Sequence, residues 1–155
     1  MILYYLDSSA WVKRYCRESG SQWVQQLFQE DNNVACATLG VIEVLAALAR
    51  KGKAGMIGDR IVKEAYAAIE GDWASFVQVR LTDDILLTAQ TLAKELALRG
   101  ADVVHLASAL SLYGRLNDEH DRLVLVTSDH ELQVGARQKN LVVVDPETEQ
   151  IRSVP

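Results

Sequence analysis

Short apolar runs alternate with longer stretches of helical period along the chain. The first, ILYYL at 2–6, is short and apolar and ends in a polar cluster, which predicts a buried strand. SAWVKRYCRESG (9–20) predicts a helix with Trp11, Val12 and Tyr15 on one side and Lys13, Arg14 and Arg17 on the other. A helix over 21–29 leads to a second strand, NVACATL (33–39). GVIEVLAALARKGK (40–53) is rich in Ala and Leu and closes on a basic turn, so a long helix is expected, and another over 56–70. FVQVRL (76–81) predicts a strand, and DDILLTAQTLAKELALRG (83–100) a helix opened by acids and stopped at Gly100. A helix over ADVVHLASALSLYG (101–114), a buried strand LVLVT (123–127), a short helix within SDHELQVGARQKN (128–140) and a last strand LVVVD (141–145) complete the pattern.

Strands that alternate with helices predict an α/β fold with a mainly parallel sheet. In such sheets ligands bind outside the carboxyl ends of the strands. Asp7 directly follows the first strand and Asp129 lies two residues past Thr127, so both acids belong at that edge. The 155 residues fit one domain, and no repeat, low-complexity tract or Pro/Gly/Ser linker divides them.

Composition changes this picture little. Hydrophobic residues at 49% and charged residues at 24% exclude disorder as the dominant state. No apolar run approaches the roughly 20 residues needed to cross a bilayer. The opening MILYYLD lacks a basic segment and meets an acid at Asp7, unlike a signal peptide, so a cytoplasmic location is expected. Cys16 and Cys36 sit in no metal-binding spacing and read as reduced, buried thiols, which argues against structural zinc. The net charge of −5 argues against a protein that coats nucleic acid through a general positive field, but leaves room for an enzyme with a local acidic site.

Two further acids stand out by context. Glu43 is flanked by apolar residues and glycine in GVIEVLAALA, and Asp102 lies in the first turn of an otherwise apolar helix. A carboxylate in such surroundings costs several kcal/mol to desolvate unless a partner compensates. Four acids converging on one edge would repel one another, and a hard divalent cation such as Mg2+ or Mn2+ offsets that repulsion. Each acid also has a plainer explanation. Asp7, Asp102 and Asp129 are favoured N-cap residues, Ser128 and Glu131 match a capping box, and Glu43 is within reach of Arg50.

The segments LDSSAWVKRY, GVIEVLAALAR, GADVVHLASAL and VTSDHELQVGARQKNL resemble, in order and spacing, the successive motifs of PIN domains, and most of all the VapC-type toxins of toxin–antitoxin pairs. The resemblance covers residues 2 to about 145. It implies a three-layer α/β/α sandwich and a divalent-metal endoribonuclease that hydrolyses phosphodiesters to leave a 5′-phosphate. Asp7, Glu43, Asp102 and Asp129 fall on the family's acidic positions, and Glu131 falls where some members carry an additional acid. Ser9 and Thr127 match small polar positions that order the site. His105, one turn after Asp102, can face the same cleft, although its apolar neighbours favour a structural, hydrogen-bonded histidine. Mg2+ or Mn2+ is the implied cofactor, RNA the substrate, a small VapB-like antitoxin the partner and a homodimer the assembly. Lys13, Arg14 and Arg17 beside the first motif, and Arg50, Lys51 and Lys53 at the end of the Glu43 helix, are candidate phosphate contacts, or else ordinary solvated helix faces.

Rival motifs fail at defining residues. LDSSA departs from the D-x-S-x-S loop of metal adhesion sites at Trp11, and from the D-x-D of haloacid dehalogenase phosphatases at Ser9. The cluster Asn117, Asp118, Glu119 and Asp121 lacks the glycine and distal Glu of an EF-hand. Two alternatives stay open: a PIN-like module that binds RNA or protein without cutting, and a DNA-directed nuclease of the same fold.

Overall fold

Apolar side chains on both faces of ILYYL make it the middle strand, β1 (Ile2–Leu6), of a five-stranded sheet in a computed structural model that describes residues 1–116, 118 and 120–149. The other strands are β2 (Asn33–Ala37), β3 (Val77–Val79), β4 (Arg122–Val126) and β5 (Val142–Val144), in the spatial order β3-β2-β1-β4-β5. All four pairings are parallel. The helices are α1 (Ser8–Trp11), extended by a 3-10 turn (Val12–Arg14), α2 (Ser21–Gln29), α3 (Thr38–Lys53), α4 (Asp59–Ser75), α5 (Asp83–Leu96), α6 (Gly100–Tyr113) and α7 (His130–Gln138).

Side-chain alternation along β1 separates two cores. Tyr4 and Leu6 pack with Trp11, Trp23, Val44, Leu48 and Ile69 under α1–α4. Leu3 and Tyr5 pack with Ile85, Leu92, Leu106, Leu132 and Ala136 under α5–α7. The result is a three-layer α/β/α sandwich with an all-parallel sheet. Residues 150–155 of the expected domain lie outside the described residues, as do Asn117 and Glu119 of the acidic cluster.

The chain leaves β1 toward β2 and β3 on one side, then returns to place β4 and β5 on the other. The carboxyl ends of β1 and β4 therefore flank the point where the winding reverses, the crevice in which open α/β sheets bind ligands. The β1–β4 ladder runs to Leu6↔Val126, and the Asp7 amide continues it with a 3.2 Å bond to the Val126 carbonyl. Asp7 and Thr127 thus leave the sheet side by side.

Several expected elements are shorter than the pattern suggests: β2 ends at Ala37, just before α3 begins, β3 and β5 span three residues each, and α5 ends at Leu96. The helix over 9–20 stops early: α1 has four residues and tightens into the 3-10 turn, with Tyr15 and Cys16 amides both bonding the Val12 carbonyl. The tighter winding turns Lys13 inward, where it is 4% exposed and pairs with Glu18 at 3.2 Å and Glu147 at 2.7 Å. The expected solvated face of Lys13 is therefore corrected, because two carboxylates nearer the solvent, Glu18 and Glu147, hold this buried ammonium.

Candidate active site at the carboxyl edge of the sheet

Asp7 is the most tightly held of the acids. It is 3% exposed and caps α1, with Oδ1 accepting from the Ala10 amide at 3.0 Å and from Ser9 Oγ at 2.8 Å. Thr127 Oγ1, from the end of β4, donates to Oδ2 at 2.7 Å, and Ser9 Oγ lies 3.0 Å from the same oxygen. Burial raises the Asp7 pKa, and nearby His105 together with the bonds from Thr127, Ser9 and the Ala10 amide oppose the rise. Ser9 and Thr127 also organise the next loop. Ser9 Oγ accepts from the Ser128 amide at 3.0 Å and Thr127 Oγ1 from the Asp129 amide at 3.0 Å.

Asp129 caps α7 through Oδ1, which accepts from the Leu132 amide at 2.9 Å. The cap is therefore Asp129, and the expected capping box from Ser128 to Glu131 does not form. Asp129 stands one residue nearer the helix and takes the amide first. Capping does not use up either acid, since Asp7 and Asp129 each place one oxygen on a helix amide.

Asp102 sits in the first turn of α6, where Arg99 rather than Asp102 is the N-cap residue. Its Oδ2 accepts from Arg99 Nε at 3.1 Å, while Arg99 Nη2 pairs with Asp129 Oδ2. The Asp102 pKa is raised by burial first and by the negative charge of Asp129 second, with Arg99 and His105 opposing. Arg99 is a functional candidate that sequence pattern alone does not single out. The signal it does leave is an arginine three residues before an acid, next to Gly100. That glycine opens α6 rather than stopping the helix before it, because α5 already ends at Leu96 with Ala97 in the left-handed conformation.

Glu43 reaches the edge because α3 packs close to the sheet. Gly40 makes this possible: a Cβ there would overlap Cys36 Sγ and stand 3.4 Å from His105 Cε1. One turn on, Glu43 Oε2 lies 2.6 Å from His105 Nε2, and His105 Nδ1 lies 3.0 Å from the Tyr5 hydroxyl. His105 is 1% exposed, since α6 is wedged between the sheet, α5 and α3. It is thus a buried, doubly hydrogen-bonded side chain that anchors Glu43, and Glu43 pairs with it rather than with Arg50. Tyr5, whose apolar surroundings in ILYYL mark it only as part of a strand, completes this chain. Cys36 and Cys16 are free and buried, and burial raises both thiol pKa values, for Cys36 with help from Asp7 and Glu43.

Other candidates lie apart. Glu131 is exposed and lines a cleft of about 300 Å³ with Leu96, Leu98, His130 and Val134; among the described residues it bonds none of the other four acids. Arg14 pairs with Asp72 and lies over the Phe28 ring, and Lys51 pairs with Glu18 at 2.8 Å. Arg17, Arg50 and Lys53 are exposed. Arg50 lines one groove of about 410 Å³ with Ser8, Ser9, Ile42 and Glu43, so a basic side chain and part of the site share a surface.

No group of three or more His, Cys, Asp or Glu side chains converges closely enough for a ready metal centre among the described residues. The donor set nevertheless suits a hard divalent ion. Its candidate ligands are all carboxylate oxygens, and a cationic guanidinium already bridges two of them.

An all-parallel α/β/α sandwich with carboxylates at its switch point defines the general class: an α/β protein with an acidic crevice at the carboxyl edge of its sheet. Comparison narrows it. The PIN domain model matches residues 4–137, and the chain belongs to that family. It is 35% identical over 136 residues to Ribonuclease VapC45 of Mycobacterium tuberculosis (strain CDC 1551 / Oshkosh), covering 88% of this chain and 90% of that one. Its fold is similar to the crystal structure of PAE2754 from Pyrobaculum aerophilum, with a TM-score of 0.65 at 23% identity, covering 96% of this chain and 94% of that one. It is also similar to a toxin–antitoxin complex from Klebsiella pneumoniae, with a TM-score of 0.63 at 17% identity, covering 92% and 97%. No helix among the described residues is long and apolar enough to cross a membrane.

Proposed function

We propose that this protein is a divalent-metal-dependent endoribonuclease, the toxin of a VapBC-type pair, acting in the cytoplasm as a homodimer restrained by a small antitoxin. The observation that carries the reading is the tethering of Asp7 and Asp129 through one hydroxyl, Thr127 Oγ1, at the carboxyl edge of β1 and β4. Thr127 joins the Asp7 carboxylate to the Asp129 backbone amide, which sets both acids at one edge, and Asp102 and Glu43 border the same edge. The name of the 35%-identical relative, a ribonuclease, supports RNA as the substrate.

Asp7, Asp102, Asp129 and Glu43 would hold Mg2+ or Mn2+. When bound, the ion supplies Lewis-acid polarisation of the scissile phosphate and a more acidic water. The chain's own residues do the rest. Ser9, Thr127 and the Ala10 amide hold the Asp7 carboxylate in one orientation. His105 holds Glu43, and one carboxylate of the set accepts the proton that the attacking water gives up. Water adds to phosphorus, the bond to the 3′ oxygen breaks, and that oxygen takes up a proton from solvent, so the products carry a 5′-phosphate and a 3′-hydroxyl. Arg17, Arg50 and Lys53 remain free to meet flanking phosphates.

The test is cleavage of single-stranded RNA and DNA, side by side, with Mn2+, with EDTA, and with Asp7→Asn. Expected is RNA cleavage that needs the metal and is abolished in the variant. Cleavage undiminished in excess EDTA overturns the mechanism, preference for DNA selects the DNA-directed rival, and RNA binding without cleavage selects the non-cutting module. Sizing at micromolar concentration, alone and with the product of an adjacent small reading frame, tests the dimer and the antitoxin.

A further inference from the structure

Arg99 stands at the entrance of α6, and its guanidinium spans two acids from two helices. Nε donates to Asp102 Oδ2 at 3.1 Å, and Nη2 pairs with Asp129 Oδ2. The two carboxylates are mostly covered, with side-chain exposures of 12% and 19%, whereas Arg99 itself is 72% exposed. A single positive charge thus sits on the solvent side of two negative ones, touching one oxygen of each. Asp102 and Asp129 are also the acids that would hold a divalent ion at the starts of α6 and α7. Asp129 Oδ1 is already committed to the Leu132 amide, which leaves Oδ2 as its available donor.

We infer that Arg99 is a resident counter-cation for the Asp102–Asp129 pair, which a divalent metal ion has to displace in order to bind. This rests on the reading that the site takes such an ion. An oxygen that accepts a guanidinium N–H along one lone pair and faces that positive charge is a poorer ligand for a second cation, so Arg99 and the metal compete. Exchange is feasible because Arg99 is anchored only at its tip. An exposed ion pair is weak, and its loss is offset by hydration of the freed guanidinium. In the ion-free protein the same contact keeps the α6 and α7 starts together, since without it two partly covered carboxylates would face each other uncompensated. Arg99 is in this sense a positioning residue that sets metal affinity.

The experiment is Mn2+ binding by titration calorimetry, and by the electron paramagnetic resonance signal of free Mn2+, for wild type, Arg99→Gln and Arg99→Lys. Removing the competitor in Arg99→Gln is expected to tighten Mn2+ binding roughly three- to tenfold. The same variant is expected to melt lower than wild type in EDTA. Arg99→Lys keeps the charge but loses the planar fork, so its affinity is expected to fall between the two. Equal or weaker Mn2+ binding by a folded Arg99→Gln protein overturns the inference while leaving the metal site intact. If Arg99→Gln fails to fold, Arg99→Lys decides: affinity no tighter than wild type overturns the inference. Absence of Mn2+ binding by the wild type rejects the metal reading itself, and the competition with it, a result distinct from the first.

Discussion

Replacing Thr127 by Val isolates the hydroxyl that ties the two strand-end acids together. The side chain is fully buried, and Val has nearly the same shape, so packing changes little. What is lost is a 2.7 Å bond to the buried Asp7 carboxylate and a 3.0 Å bond from the Asp129 amide. A hydrogen bond to a charged group contributes about 1.5–3 kcal/mol, and a neutral one about 1 kcal/mol. The two share one oxygen and are not independent, so a net loss of about 2–4 kcal/mol is expected. For a chain of this size that corresponds to a fall in Tm of roughly 5–15 °C. Thr127→Ser, which keeps the hydroxyl, should cost about 1 kcal/mol. The pH dependence adds a second signature. Burial already raises the Asp7 pKa and the Thr127 bond pulls it down, so Val raises it further. A carboxylate with a raised folded pKa contributes stability that is present below its unfolded pKa and lost as pH rises through the folded one. The deficit of the variant is therefore fullest above its own folded Asp7 pKa and shrinks on acidification toward about pH 4. Urea denaturation of the three proteins in EDTA, from about pH 4 to 8, measures this. A Val deficit no larger than that of Ser, or one that is flat across this range, refutes the assignment of Thr127 as the prop of an ionised Asp7.

The remaining expectations concern other parts of the same edge. Because burial and the Asp129 charge raise the Asp102 pKa, Asp102→Asn should stabilise the metal-free protein, by less than about 1 kcal/mol after solvent screening and loss of the Arg99 pair. Wild type should gain about 2.7 kcal/mol at a hundredfold excess of Mn2+ over its Kd if only the folded state binds, and the variant much less; equal shifts in melting scans would remove Asp102 from the site. Gly40→Ala puts a methyl into Cys36 Sγ, which should cost about 1–3 kcal/mol, and Cys36→Ala in the same chain should recover part of it. A denaturation double-mutant cycle without coupling would contradict that contact. With Arg17, Arg50 and Lys53 as the candidate phosphate contacts, RNA binding by Asp7→Asn should weaken with salt at a log–log slope of about −2. A slope steeper than about −4 in fluorescence anisotropy would mean that other cations carry the binding.

Much of this arrangement is legible from local pattern. The runs around β1 and β4 announce strands because both faces are apolar over at least four residues, and an acid just past each strand falls where the topology puts ligands. Glu43 and Asp102 are conspicuous for a different reason, as lone acids in apolar helices. The illegible parts depend on partners far away in the chain. Lys13 reads as solvated because Glu147, which pairs with it, is 134 residues distant. Tyr5 and His105 meet across 100 residues, and Arg99 and Asp129 across 30. Glu131 shows the converse. The family resemblance puts it where some members carry an additional acid, but it starts the exposed side of α7 and lines a cleft with Leu96, Leu98, His130 and Val134. Sequence proximity on a helix does not amount to a shared face.

The four acids are held by two different kinds of support, and the difference has a mechanical consequence. Asp7 and Asp129 are fixed by backbone amides and by Thr127, groups that belong to strand ends and helix caps. Such contacts move only if the elements themselves move. Glu43 and Asp102 are held by the tips of side chains alone, His105 and Arg99, whereas for Asp129 the Arg99 tip only adds to its helix cap. Rotamers adjust at far smaller cost than a packed sheet. An ion entering the edge would therefore meet a rigid half, Asp7 and Asp129, and recruit an adjustable half. His105 is buried and doubly bonded, so Glu43 has the narrower range; Arg99 is largely in solvent, so Asp102 has the wider one. Any rearrangement on metal binding should accordingly be concentrated at the start of α6, with β1 and β4 unmoved.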